Sequence, residues 1–360
     1  MKKNSLTKVL SILFLIQILT IPYILRHVTV SESGIYATIS NFINGFFRIL
    51  FGKIPFSVGD IFYTLLSIYF LFILIKWLRH FKKQSLPFFL KLTSIVSVLY
   101  FCFYLFWGFN YAKEPLYKHL KLEMTPVNSE DLISLTTQLI QKTNALQWQL
   151  AKADSIKVTV PYSKSTLLKE ASDSYSNLSK KWIFLSYKHP SIKLSTYSLP
   201  LTYMGYAGYY NPFSAEAQVN SYMPKPSMAF TACHEIAHQI GYAPEQEANF
   251  IGYLACIYSD DAFVQYSGYL VALNYALNNL RQHDTSTYKK LIATINKGVL
   301  NNYKESYDFW TAHKNPTTPL FEYIYDRFLK VNKQKEGIKS YSGIVKLMVN
   351  YHKEYPLRKS

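Results

Sequence analysis

Two histidines and a glutamate within five residues are the strongest sign of chemistry in this sequence. Residues 231–239 read TACHEIAHQ, so His234, Glu235 and His238 form the pattern His-Glu-x-x-His within an apolar helical segment. Residues four apart lie on one face of a helix, so both imidazoles can bind a single tetrahedral metal ion. Glu235 can then act as a general base without being a ligand itself. The spacing predicts a hydrolytic site with Zn²⁺ as its cofactor.

The next helical segment can bring a carboxylate close to these histidines. Gly241 can end the first helix, and Pro244 followed by Glu245 can start a second one that reads EQEANF over residues 245–250. The short connection brings the first turn of the second helix close to the end of the first. This segment therefore offers Glu245 or Glu247 as a third ligand.

The arrangement resembles the gluzincin type of zinc peptidase, in which a glutamate on a following helix completes the ligand set, often within Glu-x-x-Ala-Asp. Glu245, Ala248 and Asn249 match that register. The resemblance implies that Glu245 is the third ligand and that Asn249, without binding the metal, steadies a ligand histidine. Asn249 replaces the usual aspartate and the connecting loop is short, so Glu247 stays open as the alternative third ligand.

The segment before the metal helix is a candidate for binding substrate. Residues 205–213 read GYAGYYNPF and lead into EAQVN at residues 216–220. In zinc peptidases, the strand before the active helix often binds extended substrate by backbone pairing. Tyr209 or Tyr210 could donate a hydrogen bond to the oxyanion. The chain has 31 tyrosines, so ordinary packing is the alternative for each of them.

The first third of the chain is apolar enough to cross a membrane. Hydrophobic residues make up 49% of the chain, and residues 9–25, 61–78 and 92–109 are nearly unbroken apolar runs. Each run is about long enough for a transmembrane helix, and none shows the recurring polar face of an amphipathic core helix. We therefore predict three membrane spans. The first has no small-residue cleavage signal after it and is expected to stay as an anchor.

Positive charges predict the orientation of these spans, because cations resist transfer across the membrane. Six cations precede the first span or join the second to the third: Lys2, Lys3, Lys8, Arg79, Lys82 and Lys83. Three cations in the first outer loop oppose this orientation: Arg26, Arg48 and Lys53. The balance predicts that everything after Asn110 lies outside the cytoplasm. The expected location is the inner (cytoplasmic) membrane, with the metal site facing the periplasm.

The remaining elements divide into two predicted domains. Residues 1–110 are expected to form a membrane domain with three transmembrane helices and an interfacial helix over residues 35–51, and residues 111–360 an extracytoplasmic domain. The predicted later helices cover residues 129–150, 165–182, 228–240, 245–258, 261–280, 286–296, 319–331 and 340–351. The predicted strands cover residues 156–160, 192–199 and 217–222.

The charge of the chain bears on its partners. The formal net charge is +17, with lysine and arginine scattered through the later half. Attraction to anionic lipid headgroups or cell-envelope polymers would follow from it. No nucleic-acid-binding motif is visible, and the predicted side of the membrane argues against nucleic acid. The expected partners are the lipid bilayer and a peptide or protein substrate in the cell envelope. The sequence does not determine the oligomeric state.

Four blocks extend the resemblance beyond the metal motif. They are the segment GKIPFSVGD at residues 52–60 and the segments at residues 209–220, 234–250 and 337–341. These blocks resemble the domain-of-unknown-function 3810 family of Bacteroidota membrane proteins. They are spread over nearly the full length of the chain, which implies a common architecture. The resemblance implies no particular substrate.

The sequence as a whole predicts an α+β, predominantly helical fold, with three N-terminal transmembrane helices followed by a zincin-like metallopeptidase domain. The predicted function is a membrane-anchored zinc metallopeptidase that hydrolyses peptide bonds. The alternative is a non-catalytic membrane protein whose structural zinc site serves partner binding in the cell envelope. Glu235 argues against the alternative, because a purely structural site needs no general base.

Overall fold

The computed structural model of the chain describes residues 2–31, 34–79, 81–337 and 343–357. It is predominantly helical, as predicted, with one small sheet. The helices are α1 (Lys2–His27), α2 (Ile35–Phe51), α3 (Val58–Arg79), α4 (Phe81–Phe106), α5 (Leu116–His119), α6 (Ser129–Ala151), α7 (Lys164–Lys181), α8 (Ser198–Met204), α9 (Lys225–Gln239), α10 (Glu245–Ile257), α11 (Ala262–His283), α12 (Thr285–Ile292), α13 (Lys297–Ala312), α14 (Thr318–Val331) and α15 (Ile344–Glu354). The strands are β1 (Ile192–Leu194), β2 (Gly208–Asn211) and β3 (Glu216–Val219).

Three helices are long and apolar enough to cross a membrane, which confirms the number of predicted spans. They cover Ser5–His27 in α1, all of α3, and Ser85–Phe106 in α4. The third span begins earlier than predicted, because Lys91 lies inside the helix with its Nζ 5.1 Å from the centre of the Tyr69 ring. The three helices expose large apolar side chains, as lipid-facing surfaces do. Leu19 on α1, for example, is 74% exposed.

Helix α2 has the predicted bounds and turns its polar side chains toward the protein. Ser40 donates to the Phe106 carbonyl at 2.7 Å, and the Asn44 amide donates to the same carbonyl at 2.9 Å. The opposite face is apolar and exposed, with Phe42 75% accessible. A helix with its apolar face outward suits the surface of a bilayer. The interfacial position of α2 itself stays a prediction.

Helix α9 lies at the centre of the main hydrophobic core. It packs against α7, α10, α11 and β3. Its residues from Met228 onward are all buried, including the histidines and Glu235. Tyr175 on α7 donates a hydrogen bond to the Cys233 carbonyl at 2.5 Å. The helix that carries the chemistry is therefore held rigidly on all sides.

The sheet differs in part from the predicted strands. The central strand β3 pairs in parallel with β1 and antiparallel with β2, in the order β1-β3-β2. Of the predicted strand 192–199, only Ile192–Leu194 is extended, because the chain enters α8 at Ser198. The predicted strand at 156–160 is wrong. The Asn302 side chain bonds to both the amide and the carbonyl of Val158, which satisfies the backbone there without a neighbouring strand.

Most of the later helices follow the predictions. Strand β2 and helices α5, α8 and α13 are not among the predicted elements, and α12 ends at Ile292, earlier than the predicted end of 296. The predicted helix 340–351 corresponds to α15, with residues 340–342 lying outside the described part. Most of the family-like block at 337–341 lies outside it as well.

Two buried carboxylates join the second span to the sheet and the residues that follow β1. Asp60, in the first turn of α3, accepts hydrogen bonds from the Ser195 hydroxyl at 3.0 Å and the Thr196 amide at 2.7 Å. Glu216 on β3 accepts a hydrogen bond from the Gly59 amide at 2.6 Å and pairs with Lys193. Both carboxylates are buried, and each binds a residue of the other predicted domain, 1–110 or 111–360. The division into two domains stays a prediction.

Candidate metal centre

Helix α9 places the three residues of the His-Glu-x-x-His pattern together, as the spacing predicts. One donor atom from each of His234, Glu235 and His238 lies within 4.8 Å of the others. The two imidazole rings are perpendicular, with their centres 4.6 Å apart. All three side chains are buried. The two rings therefore face one point from the same side of the helix.

The turn after α9 orients the second histidine. Gly241 has φ of +98°, a conformation that favours glycine, and its amide donates to the His238 carbonyl at 3.0 Å. The next carbonyl in this turn, from Tyr242, lies 2.8 Å from Nδ1 of His238. A hydrogen bond at Nδ1 fixes the ring and directs Nε2 toward the metal in metal-binding histidines. The predicted helix stop at Gly241 is confirmed.

Glu245 starts α10 directly opposite the histidines. Its Oε2 lies 3.3 Å from Nε2 of His234 and 3.6 Å from Nε2 of His238. Donors around a tetrahedral ion with ligand distances of about 2.1 Å would lie about 3.4 Å apart. Within the part of the chain that the structure describes, the buried Oε2 of Glu245 and Nδ1 of His234 have no hydrogen-bond partner. These residues therefore fit a divalent metal ion.

The alternative third ligand lies elsewhere. The Glu247 side chain is buried, and its Oε1 accepts a hydrogen bond from the Leu116 amide at 2.9 Å. Asn249 is also buried. No bond from Asn249 to either histidine is present among the described residues. The structure thus brings Glu245 to the histidines, and it places Asn249 in the same cavity without direct contact to a ligand ring.

Residues far away in the sequence support the ligands. Tyr325 on α14 donates to Oε1 of Glu245 at 2.6 Å, and the Trp107 indole donates to the His238 carbonyl at 3.1 Å. The Trp107 ring also packs edge-on against the His238 ring. Sequence analysis did not find these two residues. Tyr325 and Trp107 lie 80 and 131 positions from their partners, so no local pattern indicates the contacts.

Burial and mutual charge set the protonation of the site. Burial raises the pKa of Glu235 to about 7, although the neighbouring histidines act in the opposite direction. Burial opposes protonation of His238, but the Glu245 carboxylate outweighs it and raises the pKa of His238 to about 9. Burial likewise opposes ionisation of Glu245, but the charges of His238 and His234 hold the pKa of Glu245 well below its usual range. Glu235 is thus balanced between its two protonation states near neutral pH.

The two tyrosines predicted as oxyanion donors direct their hydroxyls toward the membrane helices. Tyr209 donates to Asp60, and Tyr210 donates to Oδ1 of Asn44 at 2.8 Å. Burial, together with the charge of Asp60, raises the pKa of Tyr209. Both side chains also line the cavity beside the metal centre. Their role as oxyanion donors stays a prediction.

A cavity of about 710 Å³ opens beside His234, Glu235 and Glu245. Residues 205–210 of the edge strand β2 and the segment before it form one wall. A Cβ atom at Gly208 would lie 2.7 Å from Oε1 of Glu235 and 2.6 Å from the Gln218 carbonyl. The backbone of β2 therefore passes directly beside Glu235, and any side chain at position 208 would displace this carboxylate.

Comparison with known proteins gives one match. The family model described as "Protein of unknown function (DUF3810)" matches residues 32–349, which include the second and third spans and the whole metal centre. No curated protein and no solved structure matches the chain. The match covers most of the chain and agrees with the resemblance seen in the sequence blocks. The chain belongs to the DUF3810 family.

Proposed function

We propose that this chain is a zinc metallopeptidase anchored in the membrane. His234, His238 and Glu245 are the metal ligands, and Glu235 is the general base. The observation that carries the proposal is the convergence of three donor atoms beside a buried carboxylate, at the wall of a cavity large enough for a substrate. Zinc is favoured among metals because two imidazoles and one carboxylate are its common catalytic ligand set.

The residues of the site match the steps of peptide hydrolysis. Zinc, when bound, would act as a Lewis acid on the carbonyl and lower the pKa of water. Glu235 would accept a proton from the attacking water and pass it to the leaving amine. Burial raises the pKa of Glu235, and a bound cation would lower it again, so Glu235 would be ionised and ready to accept the proton. An extended peptide can pair with the edge strand β2, which brings its backbone to Glu235.

The alternative is a non-catalytic membrane protein with a structural zinc site for partner binding. Structural zinc sites are usually closed by four protein ligands, whereas catalytic sites keep one position open. Here three protein ligands meet at the wall of a cavity. Glu235 is buried next to them and its Oε2 has no hydrogen-bond partner among the described residues. Both features support a catalytic site.

Removal of the metal tests the proposal directly. The full-length protein, purified in detergent, is expected to hydrolyse members of a peptide library, to lose this activity on treatment with a chelator and to regain it with zinc. The activity should depend on the ion because the proposed mechanism needs a cation to polarise the carbonyl and to lower the pKa of the attacking water. Liquid chromatography with mass spectrometry measures the products. Unchanged hydrolysis in metal-free protein would contradict the proposal.

The location follows from the positive charges near the spans. We propose that the metal centre faces the periplasm from the inner membrane. A periplasm-dependent reporter, such as alkaline phosphatase, is expected to be active when fused after Asn110 and inactive when fused after Lys83. A fusion after Ser360 serves as a control and should match the fusion after Asn110. An active reporter after Lys83 together with an inactive one after Asn110 would reverse the orientation.

A further inference from the structure

The cavity beside the metal centre reaches into the membrane part of the molecule. Tyr63 on α3 and Phe103 on α4 both line it. Tyr63 lies five residues after the start of α3 at Val58 and Phe103 three residues before the end of α4 at Phe106. At 1.5 Å per residue, these side chains lie about 7.5 and 4.5 Å inside the ends of their spans. The ends of two candidate membrane spans thus border the cavity.

The lining of the cavity is suited to an uncharged apolar chain. Six of its large apolar residues come from separate parts of the fold: Met204, Met223, Phe230, Val271, Trp310 and Phe328. The chain contains 39 lysines and arginines, yet none is among the described residues that line the cavity. A site for phosphate groups or an anionic polymer would present such cations. Outside the metal centre, Glu322 is the one charged side chain among the described lining residues, and most of the others are apolar or aromatic, which favours apolar burial.

Helix α14 covers this cavity and presents apolar side chains both inward and outward, with Arg327 stacked on the ring of Tyr323 at the outer face. Its inner face carries Tyr325, which bonds to Glu245, and Phe328, whose ring centre lies 6.0 Å from that of Phe103. Its outer face exposes four apolar residues at helical spacing: Leu320, Tyr323, Ile324 and Val331. Each of these is more than half exposed. Exposed apolar residues on a helix that contacts a membrane span indicate contact with lipid.

We propose that the substrate is a peptide bearing a fatty-acyl chain that is embedded in the membrane. The acyl chain lies in the cavity between α14 and the ends of α3 and α4, and a peptide bond near it reaches Glu235. Hydrolysis adds water across the C–N bond, so a carboxylate and an amine are released. The inference rests on the proposed function and adds the class of substrate. A peptide without lipid is the competing occupant, but it would not need walls formed by membrane spans.

Matched substrates test the proposal by activity. Full-length protein in lipid nanodiscs is given a peptide library with either an N-terminal palmitoyl or an N-terminal acetyl group. The palmitoyl peptides are expected to have a kcat/KM at least tenfold higher. Val271→Trp, which fills the cavity, should lower kcat/KM for palmitoyl peptides at least tenfold while the zinc content stays unchanged. Leu65→Trp on the lipid-facing side of α3 is the matched control and should leave it unchanged.

Cross-linking gives a readout that does not need hydrolysis. The Glu235→Gln variant in nanodiscs is incubated with a palmitoyl peptide whose acyl chain carries a diazirine, and the labelled residues are mapped by mass spectrometry. Labelling of cavity residues such as Met204 and Phe328, reduced by Val271→Trp, supports the proposal. Labelling confined to the outward faces of the spans would overturn it.

The two readouts separate the inference from the proposed function. Equal cleavage of acetyl and palmitoyl peptides, with no labelling in the cavity, would refute the acyl-chain proposal and leave the peptidase intact. Labelling in the cavity without Glu235-dependent cleavage of either library would refute the peptidase and support the binding of an acyl chain.

Discussion

Glu235→Gln is expected to abolish peptide hydrolysis while the protein keeps its zinc. Glutamine has nearly the same shape as glutamate but cannot accept a proton, and position 235 is not in the proposed ligand set. Loss of a general base typically lowers a rate by roughly 10²–10⁴-fold. Because the side chain is buried, replacing the carboxylate with a neutral amide of the same shape removes a buried charge and should leave the fold intact. Rates on cleaved library peptides and zinc content by mass spectrometry check this prediction.

The outcome also distinguishes the two functions considered for the chain. A structural zinc site would hold its metal equally well with either residue, and no hydrolysis would be present in the first place. Glu114→Gln is a suitable control, because Glu114 forms only an exposed pair with Lys118. Hydrolysis at the same rate in the Glu235→Gln variant and the control would refute the assignment of Glu235.

Glu245→Gln is expected to cause the largest loss of zinc among the glutamate variants. An amide is a poor zinc ligand, and it leaves both histidines without their carboxylate neighbour. Loss of a residue that only supports a ligand typically costs about 10–100-fold in metal affinity, so loss of the ligand should cost more. Tyr325→Phe removes the hydrogen bond to Oε1 of Glu245 and should fall in that lower range. Competition with a zinc chelator of known affinity measures both.

Glu247→Gln is the matched control for this experiment. It lies two residues away on the same helix, and a glutamine there can still accept the hydrogen bond from the Leu116 amide. Zinc affinity should therefore be nearly unchanged. If Glu247→Gln loses zinc and Glu245→Gln retains it, the ligand set is wrong.

Local patterns were sufficient to predict the centre of the site. The rings of His234 and His238 lie close together because one helical turn separates the two residues. Glu245 lies beside them because the turn at Gly241 reverses the chain within a few residues. The three candidate spans follow from composition, since long apolar runs without a recurring polar face are typical of membrane helices. Each of these features depends on residues that are close together in the sequence.

Long-range contacts account for what the sequence did not reveal. Strand β2 begins with a glycine, ends with an asparagine and has two tyrosines between them, so it does not match the alternating pattern typical of strands. It is extended because it pairs with β3. The sequence around Val158 predicts a strand, but the Asn302 side chain, and not a neighbouring strand, forms the hydrogen bonds to the backbone of Val158. Tyr325 and Trp107 reach the metal centre only through the packing of α14 and α4.

The buried contacts of Asp60, Glu216 and Trp107 connect the membrane helices to the metal centre and its neighbouring sheet. The helices therefore help to hold the site in place as well as anchoring it. Cutting the chain after the third span would take Asp60 away from Tyr209 and the Gly59 amide away from Glu216, which would keep its pair with Lys193. Each orphaned group costs about 1–3 kcal/mol, a large share of the roughly 5–15 kcal/mol that stabilises a typical domain. Biochemical work on this protein therefore calls for the intact chain in lipid, because a fragment without the membrane helices would lack contacts that stabilise the site.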